Sequence, residues 1–176
     1  VEAALEITAS HHPYDRNGLK FFTAGGGLEG SDVEEILQLA WNCTLNKNED
    51  NQPVKLDFMT DYAALLRSKI VEEADSGTQP LSGLHIVVDA GNGVGGFYAT
   101  EVLAPLGADI SGSQFLEPDG MFPNHIPNPE NKTAIASASK MVCDSHADFG
   151  LIFDTDVDRM GCISSSGKEI NRNALV

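Results

Sequence analysis

The chain has 176 residues, 41% of them hydrophobic and 21% charged, which is the balance of a soluble globular protein large enough for one ordinary domain or two small ones. Its formal charge of −15 argues against a nucleic-acid partner, because a polyanion is repelled at every approach. No apolar run approaches the length of a membrane span, so no membrane partner is expected either.

In chain order, the apolar Leu5 and Ile7 lead as a strand into Thr8-Ala9-Ser10-His11-His12-Pro13, a loop that continues through Asn17-Gly18-Leu19-Lys20. Gly18 to Thr23 reads as a second short strand, and Gly25-Gly26-Gly27 as a hairpin turn. Ser31-x-x-Glu34 reads as a capping box opening a helix whose apolar face is Val33, Ile36, Leu37, Ala40 and Trp41. Residues 46–53 form a polar surface loop, and Met59, Tyr62, Ala63, Leu66 and Ile70 mark the next helix. Ser76 to Pro80 reads as a linker, dividing the chain into parts 1–79 and 80–176.

Beyond it, Leu84 to Ala90 is short and β-branched, like a strand buried on both faces. A turn at Gly91–Gly96, a helix at Phe97–Leu106, a strand at Ala108–Ser111, a helix at about Thr133–Ser145 and a strand at Asp148–Phe153 follow. This alternation is that of an open parallel α/β sheet. Ser165-Ser166-Gly167 suggests a hairpin after Met160–Ser164.

Both ends look cut: Val1 starts inside a strand, and Asn171–Val176 opens a helix that does not develop. The sequence opens at Val1 directly in strand-like residues rather than in a charged-then-apolar leader, so no signal peptide is expected among them. Cys43, Cys143 and Cys162 are far apart and follow no C-x-x-C spacing, which suits reduced thiols packed in a core. A reducing compartment follows, cytoplasmic or, if a transit peptide has been removed, the plastid stroma.

Three stretches carry chemistry. Ser10 is a candidate nucleophile or phosphate carrier, with the His11–His12 pair and Lys20 as candidate proton shuttles or anion ligands. Asp154-Thr155-Asp156-Val157-Asp158-Arg159 follows a buried strand, and three carboxylates at alternate positions call for a hard divalent cation, magnesium above all. An EF-hand is excluded, since Arg159 replaces the sixth-position glycine, Ser165 replaces the twelfth-position glutamate, and strands flank the loop. Gly91-Asn92-Gly93-Val94-Gly95-Gly96 matches the dinucleotide fingerprint G-x-G-x-x-G. Asp89 just ahead of it opposes a pyrophosphate, and no well-placed acid ends the second strand, so a closely packed turn is the better reading. His125 and His146 read as hydrogen-bonding residues, with His125 able to reach the sheet edge that holds Asp154.

Taken together, Thr8–Pro13 with Asn17-Gly18-x-Lys20 resembles the phosphoserine loop of the α-D-phosphohexomutases, and Asp154–Arg159 their magnesium loop. Asp89-Ala90-Gly91-Asn92-Gly93 and Asp119-Gly120-x-Phe122-Pro123-Asn124-His125 resemble motifs of that family's second domain. The resemblance implies α/β, layered helix–sheet–helix domains with mixed or parallel sheets, of which this chain holds two of four: the later part of the first and most of the second. It implies that Ser10 carries a phosphoryl group, and that Asp154, Asp156 and Asp158 bind Mg2+ together with that phosphate. It also implies that His11 and Lys20 serve proton transfer and that Arg159 helps hold phosphate. The substrate is then a hexose phosphate, interconverted between 1- and 6-phosphates through a hexose bisphosphate, and a chain of this extent is not expected to turn over alone.

His12 stands where the family usually has asparagine, and Thr155 and Val157 where small residues are usual. These departures motivate a second reading, a mutase-like scaffold or regulatory protein. A nicotinamide-dependent oxidoreductase is the third.

Overall fold

The structure, a computed structural model, describes residues 2–8, 10, 12–44 and 52–174, the side chain of Arg172 excepted. His11 and most of the expected polar loop at 46–53 lie outside the described residues. The chain forms two compact units, Val1–Ala9 with Asp15–Leu56, and Ser10–Tyr14 with Asp57–Val176. Among the described residues, no helix is long and apolar enough to cross a membrane.

The first unit is an antiparallel sheet, β1 (Ala3–Thr8), β2 (Gly18–Thr23) and β3 (Gly26–Gly27), in that order, followed by helix α1 (Gly30–Asn42). Thr8 pairs with Gly18 at the mouth of the Ser10 loop. A Cβ on Gly18 would lie 2.6 Å from the Thr8 carbonyl oxygen, so glycine is needed where the two strands separate. Helix α1 starts earlier than the sequence suggests. Its capping contact comes from Asp32, whose carboxylate accepts the Glu29 N–H at 3.0 Å, in place of the Ser31–Glu34 box. None of its residues is buried.

The second unit is a layered helix–sheet–helix sandwich. Its sheet has the order β4 (Ile86–Asp89), β5 (Phe149–Phe153), β6 (Met160–Ser164), with β4 and β5 parallel and β6 antiparallel to β5. Side chains alternate between its faces. Val87, Ile152 and Ile163 meet Ala134, Ala138 and Val142 of helix α3 (Lys132–Ser145) on one side. Ile86, Val88, Leu151 and Phe153 pack with Ala99 and Leu103 on the other. Outside that layer, Ala63 of helix α2 (Phe58–Ala74) packs on Val102 and Leu106, with Leu66 and Ile70 alongside as the helical spacing predicts.

Two elements differ from expectation. The strand expected at Ala108–Ser111 is not a regular one. The 109–114 segment runs beside β4 but touches it through isolated bridges at Asp109 and Gln114. Gly112, at φ +90°, breaks the ladder between them, and the Ser113 hydroxyl accepts the Val88 N–H at 3.0 Å in its stead. The helix expected at Phe97–Leu106 is a π-helical turn (Tyr98–Leu103) followed by a 3₁₀ turn (Ala104–Leu106), with another 3₁₀ turn (Val94–Gly96) just before it. Pro105 has no N–H to give to the carbonyl of Glu101, four residues earlier, and the Arg67 guanidinium of α2 supplies that donor. The hairpin at Ser165–Gly167 is present, with Gly167 at φ +73° and Ile163 bridged to Glu169.

At Gly96 the turn after β4 has no room for a side chain: a Cβ there would lie 1.8 Å from the carbonyl oxygen of Leu116. Gly96→Ala is therefore expected to destabilise the unit by about 3 kcal/mol, at the upper end of ordinary overpacking. An unchanged urea midpoint for this variant would show that the turn yields freely.

Candidate functional site

Parallel neighbours end at the same sheet edge, so the turn after β4 and the acidic loop after β5 lie side by side. Asp154 leaves β5 fully buried. It holds its loop closed: its N–H donates to the Arg159 carbonyl at 3.2 Å, and its Oδ1 accepts the Arg159 N–H at 3.1 Å. The Arg159 guanidinium reaches Oδ2 through Nε and Nη2, both at 3.1 Å, and Asp158 Oδ1 lies 3.5 Å from Nε.

One carboxylate oxygen from each of Asp154, Asp156 and Asp158 can be chosen so that all lie within 4.8 Å of one another. Burial, first, and the Asp158 and Asp156 carboxylates push Asp154 up to about 6, against the pull of the Arg159 N–H. Three carboxylates against one guanidinium leave the loop two negative charges in excess. The buried Thr155 hydroxyl has no hydrogen-bond partner among the described residues. An all-oxygen donor set with this charge excess fits a hard divalent cation.

The glycine-rich turn is built against that loop. Val94 N–H donates to the Thr155 carbonyl at 2.9 Å, so the first nitrogen of the 3₁₀ turn is already engaged. A Cβ on Gly93 would lie 2.8 Å from the Thr155 oxygen, and one on Gly95 would lie 2.9 Å from the Phe153 ring. The space a pyrophosphate would need is filled by Thr155 backbone, which supports the close-packing reading over the dinucleotide one.

Behind the turn lies a pair that sequence reading did not join. Asp89 and His125 are both buried, and His125 Nε2 lies 3.0 Å from each Asp89 carboxylate oxygen. His125 Nδ1 lies 3.1 Å from the Ile126 carbonyl. Both ring nitrogens face acceptors, an arrangement that favours the doubly protonated ring. Burial lowers its pKa, but the hydrogen bond and charge of Asp89 outweigh burial and hold it above the usual histidine value. Asp89 also accepts from Gly91 N–H at 2.9 Å and from Gln114 Nε2 at 2.8 Å. The signal for this pairing was the DAGNG and FPNH motifs, each noted for itself.

Of the other expected site residues, Ser10 is half-buried with φ +49°, a left-handed conformation that costs a serine roughly 1–2 kcal/mol. Ser10–Tyr14 belongs to the same compact unit as the acidic loop. Lys20 is exposed in the first unit, paired with Glu6 at 3.5 Å across β1 and β2. His11 lies outside the described residues. His146, at φ +54°, caps the end of α3 through its backbone. Of the cysteines only Cys162 is buried, so the expected core packing is corrected for Cys43 and Cys143, which are exposed. A cavity of about 680 Å³ lies beside the acidic loop, walled by Met59, Tyr62, Phe97 and Tyr98 with Asp156 and Arg159 at its edge.

Comparison with known proteins agrees with these motifs. Residues 60–167 match the family model described as phosphoglucomutase/phosphomannomutase, alpha/beta/alpha domain II. A phosphoglucomutase of Neisseria gonorrhoeae is 32% identical over 170 residues, covering 96% of this chain and 35% of the relative. A phosphoglucosamine mutase of Pectobacterium atrosepticum is 33% identical over 175 residues, covering 99% of this chain and 38% of its own length. The crystal structure of a phosphoglucomutase/phosphomannomutase family protein from Burkholderia thailandensis superimposes with a TM-score of 0.78 at 26% identity, covering 97% of this chain and 35% of that one. The chain belongs to the phosphoglucomutase/phosphomannomutase family. It spans about 36% of the length of such relatives, as with the phosphomannomutase/phosphoglucomutase of Pseudomonas syringae pv. tomato.

The raised pKa of His125 sets the sign of a pH effect. The proton the pair holds stabilises the fold fully below the unfolded histidine value of about 6.5, and that contribution is lost as pH rises through the folded value. The melting-temperature gap between wild type and His125→Gln should therefore be widest at about pH 6 and narrow towards about pH 9. A gap that widens with pH would mean that the histidine is held neutral.

Proposed function

We propose that the intact protein is a phosphohexomutase, interconverting hexose 1-phosphate and hexose 6-phosphate. The observation that carries this reading is the three-carboxylate cluster at the end of β5, in a member of this family. In this reading 1–79 belongs to a first domain and 80–176 to a second, with further domains completing the enzyme.

Ser10 carries the phosphoryl group. In the first transfer its Oγ–P bond breaks as a bond forms from phosphorus to a hexose hydroxyl, whose proton goes to a nearby base. In the second, the other phosphate of the reoriented bisphosphate returns to Ser10. Lys20 and His11 are assigned the proton traffic, and Arg159 helps hold the phosphate while keeping Asp154 aligned. Asp154, Asp156 and Asp158, with the Ser10 phosphate, would hold Mg2+, which supplies neutralising charge as phosphoryl transfer proceeds. A phosphoserine brings roughly two negative charges at neutral pH, which an acidic loop without a cation would repel. The left-handed backbone of Ser10 supports a functional constraint on that residue. The 680 Å³ cavity is a poor sugar site, because its walls are apolar and a hexose phosphate needs hydroxyl and cation partners.

Two measurements test this. The intact protein should carry one phosphoryl group by mass spectrometry, absent in Ser10→Ala. That variant should lose mutase turnover by a factor on the order of 10³ or more. Robust turnover by Ser10→Ala would sink the mechanism, and absence of turnover by phosphorylated wild type on glucose, mannose and glucosamine phosphates would favour a scaffold.

Cation binding should also compete with protons. With Asp154 near 6, Mn2+ affinity is expected to fall as pH drops through about 6. Affinity independent of pH between about 5 and 8 would remove Asp154 from the ligand set.

A further inference from the structure

We propose that the buried His125–Asp89 pair is a positioning element for the acidic loop, acting through the Gly91–Val94 turn. The inference rests on the reading of that loop as a divalent-cation site.

The contacts run without a gap. His125 Nε2 holds both oxygens of Asp89 at 3.0 Å, and Asp89 Oδ1 accepts the Gly91 N–H at 2.9 Å. The histidine leaves the turn no room for a side chain: a Cβ on Gly91 would lie 2.9 Å from His125 Cε1. Asn124, next to His125, donates to the Asn92 side chain at 2.7 Å, and Asn92 in turn donates to the Glu117 carbonyl at 2.8 Å. Asn92, at φ +62°, thus has its conformation fixed from both sides. Gly93 N–H closes the turn on the Ala90 carbonyl at 2.7 Å, and Val94 N–H then reaches Thr155 between two of the three carboxylates.

A pair of complementary buried charges is costly to assemble and gives little net stability over an apolar pair of the same shape. What it does provide is direction. Asp89 is held by three different donors and can occupy one orientation only, and that orientation fixes the turn. Carboxylates that repel one another cannot set their own spacing, so the spacing is set from outside, by the turn that holds Thr155.

The test uses the intact protein stripped of metal with EDTA. Mn2+ binding is read from the EPR signal of the free ion, at a temperature where near-UV circular dichroism shows each variant folded. Gly93 has φ −75° and ψ −170°, which alanine adopts freely, so Gly93→Ala acts only through the clash of its methyl group with Thr155 and Asp154 backbone. It should bind Mn2+ about tenfold more weakly than wild type, the lower end of what outer-shell changes cost. His125→Gln should show a loss of similar size. The double variant should lose no more than the larger single loss, because both act through one turn. Val94→Ala keeps the N–H and should keep wild-type affinity.

Wild-type affinity in folded Gly93→Ala, additive losses in the double variant, or an equal loss in Val94→Ala would each overturn the inference. If His125→Gln does not fold, Gly93→Ala against Val94→Ala decides. Failure of the wild-type protein to bind Mn2+ overturns the cation-site reading and this inference with it, whereas wild-type binding with unaffected variants overturns the inference alone.

Discussion

The backbone contact between Val94 and Thr155 is the constraint on which the rest of the second unit depends. It brings two strand-end turns to hydrogen-bonding distance, which is possible only because β4 and β5 are parallel neighbours and end together. It also requires that the facing residues have no side chains. Gly93 meets the acidic loop, Gly95 the Phe153 ring, and Gly96 the Leu116 carbonyl, each closer than a Cβ allows. A motif that elsewhere admits a pyrophosphate is used here to admit a second piece of protein backbone.

Two carboxylates are buried at this edge, Asp89 ending β4 and Asp154 just after β5. Each has its own internal cation, His125 for the first and Arg159 for the second. The first pair is closed, with complementary charges and donors on both carboxylate oxygens. The second carries more charge, because Asp156 and Asp158 bring three carboxylates together beside the one Arg159 guanidinium. The same sheet edge therefore holds one carboxylate–imidazole pair and one cluster with an excess of carboxylates. The difference matches a division of labour between shaping the site and binding at it.

Much of this was legible from residues alone. The acidic loop stood out because three like charges at alternate positions make no sense uncompensated, and the structure confines them as that logic requires. The alternation of elements predicted the parallel β4–β5 pair, and the spacing of Leu66 and Ile70 predicted the inner face of α2. What escaped was contact between distant residues. His125 and Asp89 are 36 positions apart, and nothing in either segment names the other. Local deviations also escaped: Gly112 breaks a ladder that Ala108–Ser111 seemed to begin. Pro105 turns an expected helix into π and 3₁₀ turns, with Arg67 of another helix supplying the missing donor. Apolar neighbours in sequence misjudged Cys43 and Cys143, since burial is decided by which face meets another layer.

The departures from the family pattern within the acidic loop now have separate physical meanings. Thr155 keeps an ordinary backbone, and it meets Val94 through its carbonyl, which any residue could present. Val157 is different. It sits at φ +67°, where a β-branched residue is strained by roughly 1–2 kcal/mol and glycine is not. Its side chain packs against the core cluster of Ile86, Val88 and Phe153, so the strain is offset by apolar contact that glycine could not make. The loop is thus held at three points: Asp154 by Arg159, Thr155 by Val94, and Val157 by the core. A loop fixed in this way can hold carboxylates at a spacing their repulsion opposes, and the larger residue reads as a brace for the site rather than as a sign of its decay.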